Sequence, residues 1–443
     1  MRIKIKEKDL FKNLIQNNFG LELNEINSFC TDSRKIKKND IFLPIKGQNI
    51  DSHKFIPTVL NQGAVISFSE IEFENENVIK VDSTKAILKE LSIQWFSHFK
   101  KPVIAITGSN GKTTTKEMIK QIFSYTNKTN YTLGNYNSSI GLPINLFNFS
   151  LDADVSILEM GANNQGEIKY LCDIAKPDYS LITNIQSAHI GNFNSIEELK
   201  KTKLDIFKST NTEGIIFENV DDDNIFDNYK GKQKKIRFGF KNDKVDFLGS
   251  IKKTEYSYDF FINGKKIFNP QLNEIMAKNM LASYSVAYTY GIPHDTILEV
   301  FEKFSFLDGR GNQINKNGYL IINDTYNANY ESFKNGINNF MSMNCKGKKI
   351  LVIGDMKELG NEDNKYHYEL GQYINKKKPE IVFSLGDSIQ ITNAQIINDY
   401  TISKHFQDFK NLIKELKNTI TINDAVYLKA SRSMKFEDII SKI

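Results

Sequence analysis

Hydrophobic positions along the chain alternate between two rhythms. Short runs of β-branched and aromatic residues, closed by Gly, Asn, Asp or Lys, read as buried strands. Between them lie longer stretches with apolar residues every three or four positions, which read as helices. The clearest succession is a strand over Val103–Ile106, a small-residue loop over Thr107–Gly111 and a helix over Lys112–Phe123. Two further strands, Asp154–Gly161 and Asp178–Ile185, carry Glu159 near the end of the first and run into Gln186–His189 after the second. A helix is expected over Ile275–Ala287. The part between Asn211 and Pro270 reads as irregular, with an acidic run at Asp221–Asp223 and a hairpin-like Tyr258–Gly264. Past Asp308-Gly309-Arg310-Gly311, a glycine-flanked hinge, come strands at Gly318–Asp324, Lys348–Asp355, Glu380–Asp387 and Ala425–Lys429, a Rossmann-like repeat.

This pattern predicts an α/β protein with mainly parallel sheets. A chain of 443 residues is too long for one core. A break at Lys100-Lys101-Pro102 and the glycine hinge divide it into domains 1–100, 101–311 and 312–443. The first part alternates short helices and strands, including Asp40–Pro44.

Composition narrows the function classes. The net charge of +5 is mild, and Lys and Asn are spread throughout rather than gathered in a patch, which argues against a nucleic-acid surface. Cys30, Cys172 and Cys345 lie far apart with no CxxC, as expected of a reducing compartment without a disulfide or zinc framework. No apolar run approaches the roughly 20 residues that span a bilayer, and the N-terminus lacks a signal-peptide core, so a cytoplasmic protein without membrane insertion is expected.

The chemistry centres on Thr107-Gly108-Ser109-Asn110-Gly111-Lys112-Thr113-Thr114. A strand, a tight glycine loop and a helix start aim backbone N–H groups and the positive helix end at one point, which suits a phosphate chain. Lys112 would neutralise the outer phosphates, and the Thr113 hydroxyl would ligate Mg²⁺. Ile106 stands where a usual P-loop has its first glycine, leaving a compact Thr-Gly-x-x-Gly-Lys-Thr-Thr form. Ligands gather outside the carboxyl ends of strands in open α/β sheets, so Glu159 and His189 should face this loop. Glu159 would join Thr113 on the Mg²⁺, and His189 is either a structural histidine or a ligand to a second ion. Lys201–Phe207 reads by itself as a solvated helix of alternating charge. Ser33, Arg34 and Lys46 form either a capped turn and a solvated basic face or an anion site.

Together these pieces resemble the Mur ligases of peptidoglycan synthesis. The resemblance is carried by Thr107–Thr115, Glu159–Ala162, Thr183–Ile185 with Ala188-His189, Lys203, Asp324-Thr-Tyr-Asn-Ala-Asn329 and Gly354-Asp-Met-Lys-Glu-Leu-Gly360. Thr31–Arg34, Lys46-Gly47 and Lys429–Met434 extend it over nearly the whole chain. It implies an N-terminal domain for the UDP end of the substrate, a central P-loop ATPase domain and a Rossmann-like C-terminal domain that closes over both. The implied reaction is ATP-dependent ligation of D-Ala-D-Ala to UDP-MurNAc-tripeptide through an acyl phosphate by a monomer. The alternative is another amino-acid ligase of the superfamily, such as MurE, whose Asp-Tyr-Ala-His run is absent here.

By the same resemblance, Lys203 is carbamylated by CO₂ and joins His189 on a second Mg²⁺. Asn279 contacts adenine, Arg310 and Asp324 hold ATP, Asn135 and Asn137 line the muramyl-peptide path, and Tyr326, Asn327 and Asn329 lie near the dipeptide. Ser33, Arg34 and Lys46 take the UDP end. The chain departs from the family pattern at Ser138, Ile275, Met276, Tyr330, Glu331 and Ala430.

Overall fold

A computed structural model describes residues 1–47, 50–186, 190–193, 195–241, 244–254 and 258–443. The first sheet is built from Arg2–Lys4 (β1), Ser28–Cys30 (β2), Ile41–Phe42 (β3), Ile66–Ser69 (β4) and Val78–Lys80 (β5), in that spatial order. Only the β1–β2 pair is antiparallel. Its aromatic core does not stop at the expected domain boundary. Phe11 and Phe29 pack on Phe147 at centroid distances of 4.9 and 5.0 Å, and Trp95 Nε1 donates to the Leu146 carbonyl at 2.8 Å. Phe147 and Leu146 lie beyond the boundary expected near residue 100, so one buried core runs across it. Burying large rings at this junction favours a fixed arrangement of the chain on either side.

The second sheet comprises Val103–Thr107 (β6), Thr129–Tyr131 (β7), Val155–Glu159 (β8), Tyr179–Ile182 (β9), Ile215–Asn219 (β10), Lys234–Gly239 (β11), Phe247–Lys253 (β12), Tyr258–Ile262 (β13) and Lys265–Ile267 (β14). Their order is β14-β13-β12-β11-β10-β9-β6-β8-β7, parallel from β7 to β12 and antiparallel beyond. The strands expected from apolar runs, β6, β8 and β9, are interior neighbours toward its β7 edge, and all but Tyr179 of their residues are buried. The segment expected to be irregular instead supplies β10–β14. Outer strands such as β11 and β12 expose part of their length and carry polar residues, so they lack the continuous apolar run that marks a central strand. The hairpin at Asn263-Gly264 is as expected, with both residues at positive φ.

The third sheet contains Asn312–Lys316 (β15), Tyr319–Asn323 (β16), Lys349–Gly354 (β17), Ile381–Leu385 (β18), Ile402–Phe406 (β19) and Ala425–Lys429 (β20), in the order β15-β16-β20-β17-β18-β19. Four of these match the expected strands; β15 and β19 are polar or exposed edge strands that the apolar pattern did not mark. Gly309 and Gly311 take positive φ, and Gly311 N–H donates to the Asn323 carbonyl at 2.7 Å, docking the hinge on the end of β16. Among the described residues no helix is long and apolar enough to cross a membrane.

Candidate functional site

The chain leaves β6 at Thr107 and enters the helix Lys112–Phe123 through a turn that only glycine permits at two points. A Cβ on Gly108 would stand 1.9 Å from Thr183 Oγ1, and one on Gly111 would stand 2.6 Å from Asn279 Oδ1. Both residues have positive φ, 149° and 82°. The end of β9 grips this turn. Ser109 N–H donates to the Asn184 carbonyl at 2.8 Å, and Asn110 N–H donates to Asn184 Oδ1 at 2.9 Å. Thr183 Oγ1 and Asn184 Nδ2 both donate to the Asn110 carbonyl, at 2.7 and 2.9 Å. Ser109 Oγ donates to the Gln186 carbonyl at 2.8 Å. The sequence pattern does not mark Asn184 and Gln186 as site residues; their position after a strand beside the loop is the one signal it offers. The first amides of the following helix have no carbonyl partner within it and carry its positive end.

Two lysines converge on the same backbone oxygen. Lys112 Nζ donates to the carbonyls of Gly108 and Ser109 at 2.7 and 3.0 Å, and Lys203 Nζ donates to Gly108 at 3.1 Å. Lys203 lies on the helix Ile196–Ser209 and is 2% exposed, so the solvated reading of this helix fails at Lys203. Leu199, Lys203 and Ile206 share one buried face, at helical spacing. Burial pushes the Lys203 pKa well below its ordinary range, and the charge of Lys112 pushes it further down. Lys112 is also lowered by burial, with Glu159 opposing and Arg310 adding to the shift. Two ammonium groups at one carbonyl repel each other, and for Lys203 this repulsion adds to burial with no facing acid among the described residues to oppose it.

Glu159 closes β8 and is 1% exposed. Its Oε1 accepts from Thr113 Oγ1 at 3.1 Å and from Asn137 Nδ2 at 2.6 Å, while Oε2 is buried with no hydrogen-bond partner among the described residues. An unpaired buried carboxylate oxygen beside a hydroxyl is a hard oxygen donor set, which fits Mg²⁺. Among the described residues there is no group of three or more His, Cys, Asp or Glu able to hold a metal. His189, expected as a ligand, lies outside the described residues.

A cavity of about 480 Å³ opens between the middle and third domains. Its lining brings together Ser109–Thr114, Asn135, Asn137, Glu159, Asn279, Arg310, Asp324, Tyr326, Asn327 and Asn329. Arg310 Nη2 donates to Thr113 Oγ1 at 2.9 Å, and Asn279 Oδ1 accepts from Thr115 Oγ1 at 3.3 Å. Asp324 Oδ2 accepts from Tyr427 OH and Lys429 Nζ, both at 2.7 Å. Burial first, and then the Asp324 charge, raise the Tyr427 pKa well above its ordinary value. Asn329 caps the helix Tyr330–Ser342, and its Nδ2 donates to Asn110 Oδ1 at 2.9 Å, a direct contact from the third domain to the glycine turn. Tyr330 thus takes the first helical position, where a proline is favoured, so its departure from the family pattern leaves the helix start intact.

Ser33, Arg34 and Lys46 do not line this cavity. They sit in the first domain, where Arg34 is exposed and chelates Asp32 through two bonds of 2.8 and 3.0 Å. Lys46 is likewise exposed, and its backbone forms an isolated antiparallel β-bridge with Asp51.

Residues 106–287 match the sequence model of the Mur ligase middle domain, and residues 309–432 that of the Mur ligase glutamate ligase domain. The UDP-N-acetylmuramoyl-tripeptide–D-alanyl-D-alanine ligase of Bacillus subtilis is 30% identical over 427 residues, covering 94% of this chain and 93% of its own. The crystal structure of Thermotoga maritima MurF ligase in complex with ADP is similar at a TM-score of 0.82 and 28% identity, covering 94% of this chain and 96% of that one. A structure of MurF from Acinetobacter baumannii reaches a TM-score of 0.86 at 25% identity, covering 100% of this chain and 98% of its own.

The lowered pKa of Lys203 has a consequence for stability. Between the folded pKa and the unfolded value of 10.5 the unfolded chain binds more protons, so stability rises with pH there. In CO₂-free buffer, the stability of the wild type relative to Lys203→Met should therefore be lowest below the folded pKa and should climb as pH approaches 10.5. Urea unfolding across that range checks it; a difference independent of pH would mean that Lys203 is charged in the folded protein.

Proposed function

Because the chain belongs to the Mur ligase family, we propose that it joins D-alanyl-D-alanine to UDP-N-acetylmuramoyl-tripeptide, with ATP converted to ADP and phosphate, in the assembly of peptidoglycan precursors. The observation that carries this reading is the Asn110–Asn329 contact. Through it the Asp324–Asn329 run, which differs from the Asp-Tyr-Ala-His run of MurE-like ligases, is held against the phosphate loop.

A carboxylate resists attack because its anion repels nucleophiles. Its oxygen attacks the γ-phosphorus of ATP, ADP leaves, and the resulting acyl phosphate has a good leaving group. The dipeptide amine then adds to the acyl carbon. The tetrahedral species loses a proton from nitrogen and expels phosphate, leaving the amide. Thr107–Thr114 cradle the phosphates, with Lys112 neutralising them and Arg310 adding a second charge where the transferred group gathers negative charge. Asn279 reads the adenine, and Asp324, oriented by Tyr427 and Lys429, holds the nucleotide from the third domain. Asn135 and Asn137 line the path of the muramyl peptide, while Ser33, Arg34 and Lys46 receive the UDP end. Tyr326, Asn327 and Asn329 border the incoming dipeptide. Much of the rate gain comes from holding three reactants in line within one closed cleft.

Thr113 and Glu159 would hold one Mg²⁺, and His189 with a carbamylated Lys203 a second; such ions screen the phosphate oxygens from the attacking carboxylate. The unpaired Glu159 Oε2 supports the first assignment. The burial that pushes the Lys203 pKa down supports the second, because only the free base adds to the carbon of CO₂ and, on losing a proton, yields a carbamate anion. ATP with a UDP-linked acceptor suits a cytoplasmic reaction.

Purified protein given UDP-MurNAc-tripeptide, ATP and Mg²⁺ should release phosphate only once D-Ala-D-Ala is added. Equal release with a single diamino acid and a UDP-MurNAc-dipeptide would identify the MurE-type reaction instead. With ¹³C-bicarbonate, the wild type should show a carbamate carbon resonance that Lys203→Arg lacks. Its presence in both proteins would assign the carbamate elsewhere.

A further inference from the structure

Residues 308–311 join the middle and third domains, and Tyr326 of the third domain holds this hinge twice. Its backbone N–H donates to the Gly309 carbonyl at 2.9 Å, and its ring carries the Arg310 guanidinium 3.8 Å from the ring centroid. Gly309 is at a φ of 73°, and a Cβ there would meet Tyr326 Cβ at 3.3 Å, so the hinge lies directly on this residue. Asn312 Oδ1 accepts from Gly309 N–H at 2.8 Å, fixing the turn from its other side. From the stack, Arg310 Nη2 reaches Thr113 Oγ1 at 2.9 Å, the same hydroxyl that donates to Glu159.

The geometry separates the two ways in which a guanidinium can be held. A carboxylate would bind its N–H edge and cancel its charge, leaving little for a phosphate. An aromatic face takes the flat side of the guanidinium and leaves the N–H fork and the full positive charge available. The hinge is otherwise a glycine-flanked segment from which a long side chain could sample many rotamers. We infer that Tyr326 is a positioning residue that aims Arg310 at the nucleotide phosphates and makes that aim depend on the third domain being seated. This inference rests on the nucleotide reading above and gives Tyr326 a task distinct from contacting the dipeptide. A lysine at 310 would not substitute, because a point charge lacks the flat face that stacks.

The test is ADP affinity by calorimetry on the full-length chain with Mg²⁺, for Tyr326→Ala, Tyr326→Phe, Arg310→Ala, Arg310→Lys and the double variant Arg310→Ala/Tyr326→Ala. Tyr326→Ala should weaken ADP about tenfold, the worth of one desolvated stack. Tyr326→Phe should bring affinity back to within about twofold of wild type, and Arg310→Lys should not. In the Arg310→Ala background, Tyr326→Ala should cost nothing further, because no guanidinium remains to be aimed. In steady-state assays of Tyr326→Ala, KM for ATP should rise and KM for D-Ala-D-Ala should not. An undiminished loss in the Arg310→Ala background would show that Tyr326 acts through general folding and would overturn the inference. So would a rise confined to KM for D-Ala-D-Ala. Failure of the wild type itself to bind ADP would instead remove the nucleotide reading on which the inference stands.

Discussion

The backbone between Thr107 and Lys112 can pass between β9 and the helix Glu274–Tyr290 only because Gly108 and Gly111 have no side chains. Thr183 Oγ1 fills the space beside the first, and Asn279 Oδ1 the space beside the second. These neighbours also fix the turn, since Thr183 and Asn184 bond Ser109 and Asn110 through both backbone and side chains. The turn is therefore shaped before any ligand arrives, and its helix start is already aimed into the cavity. Binding to such a preformed site does not have to order the loop first. Everything else in the site is positioned relative to this one turn: Glu159 beside Thr113, two lysines on the Gly108 carbonyl, and Asn329 reaching across from the third domain.

The charges around the turn divide their tasks by environment. Lys112, Lys203 and Arg310 bring three basic groups to one buried region, with Glu159 as the facing carboxylate. Such a cluster is unfavourable unless part of the charge is relieved, and the strong lowering of Lys203 is where the relief falls. Converting that amine to a carbamate would exchange a suppressed cation for an anion, and with it repulsion of Mg²⁺ for ligation. Arg310 is held by an aromatic face rather than by an acid, which leaves the edge of its guanidinium open to an anionic ligand.

How much of this could be read from the residues alone follows from where the information resides. The helix Lys112–Phe123 has the expected ends, and Glu159 lies at the end of its strand as expected, since both signals are local: a glycine turn before a helix, and an apolar run closed by an acid. Strands β11 and β12 were not legible, because polar, partly exposed strands resemble loops in a single sequence. The short buried β10 goes unmarked although it is apolar, while the pattern marks the hairpin that begins with β13. The burial of Lys203 was half legible. Its alternating-charge surroundings suggested solvent, yet the spacing Leu199, Lys203, Ile206 already placed it on an apolar stripe. The grip of Asn184 and Gln186 on the turn, and the stack of Tyr326 on Arg310, depend on chain segments brought together only by folding. Ser33, Arg34 and Lys46 carry a basic pattern, and they stand apart from the cavity that gathers the other candidates.

Phosphoryl transfer to a carboxylate at this turn is the central claim, and the fate of one oxygen tests it most directly. With ¹⁸O in the terminal carboxylate of UDP-MurNAc-tripeptide, the carboxylate oxygen that attacks ATP remains with phosphorus when the amine expels phosphate. The ³¹P spectrum of the phosphate released in the presence of D-Ala-D-Ala should then show one ¹⁸O per molecule. Phosphate free of label, with ligation proceeding normally, would contradict an acyl phosphate and the account built on it.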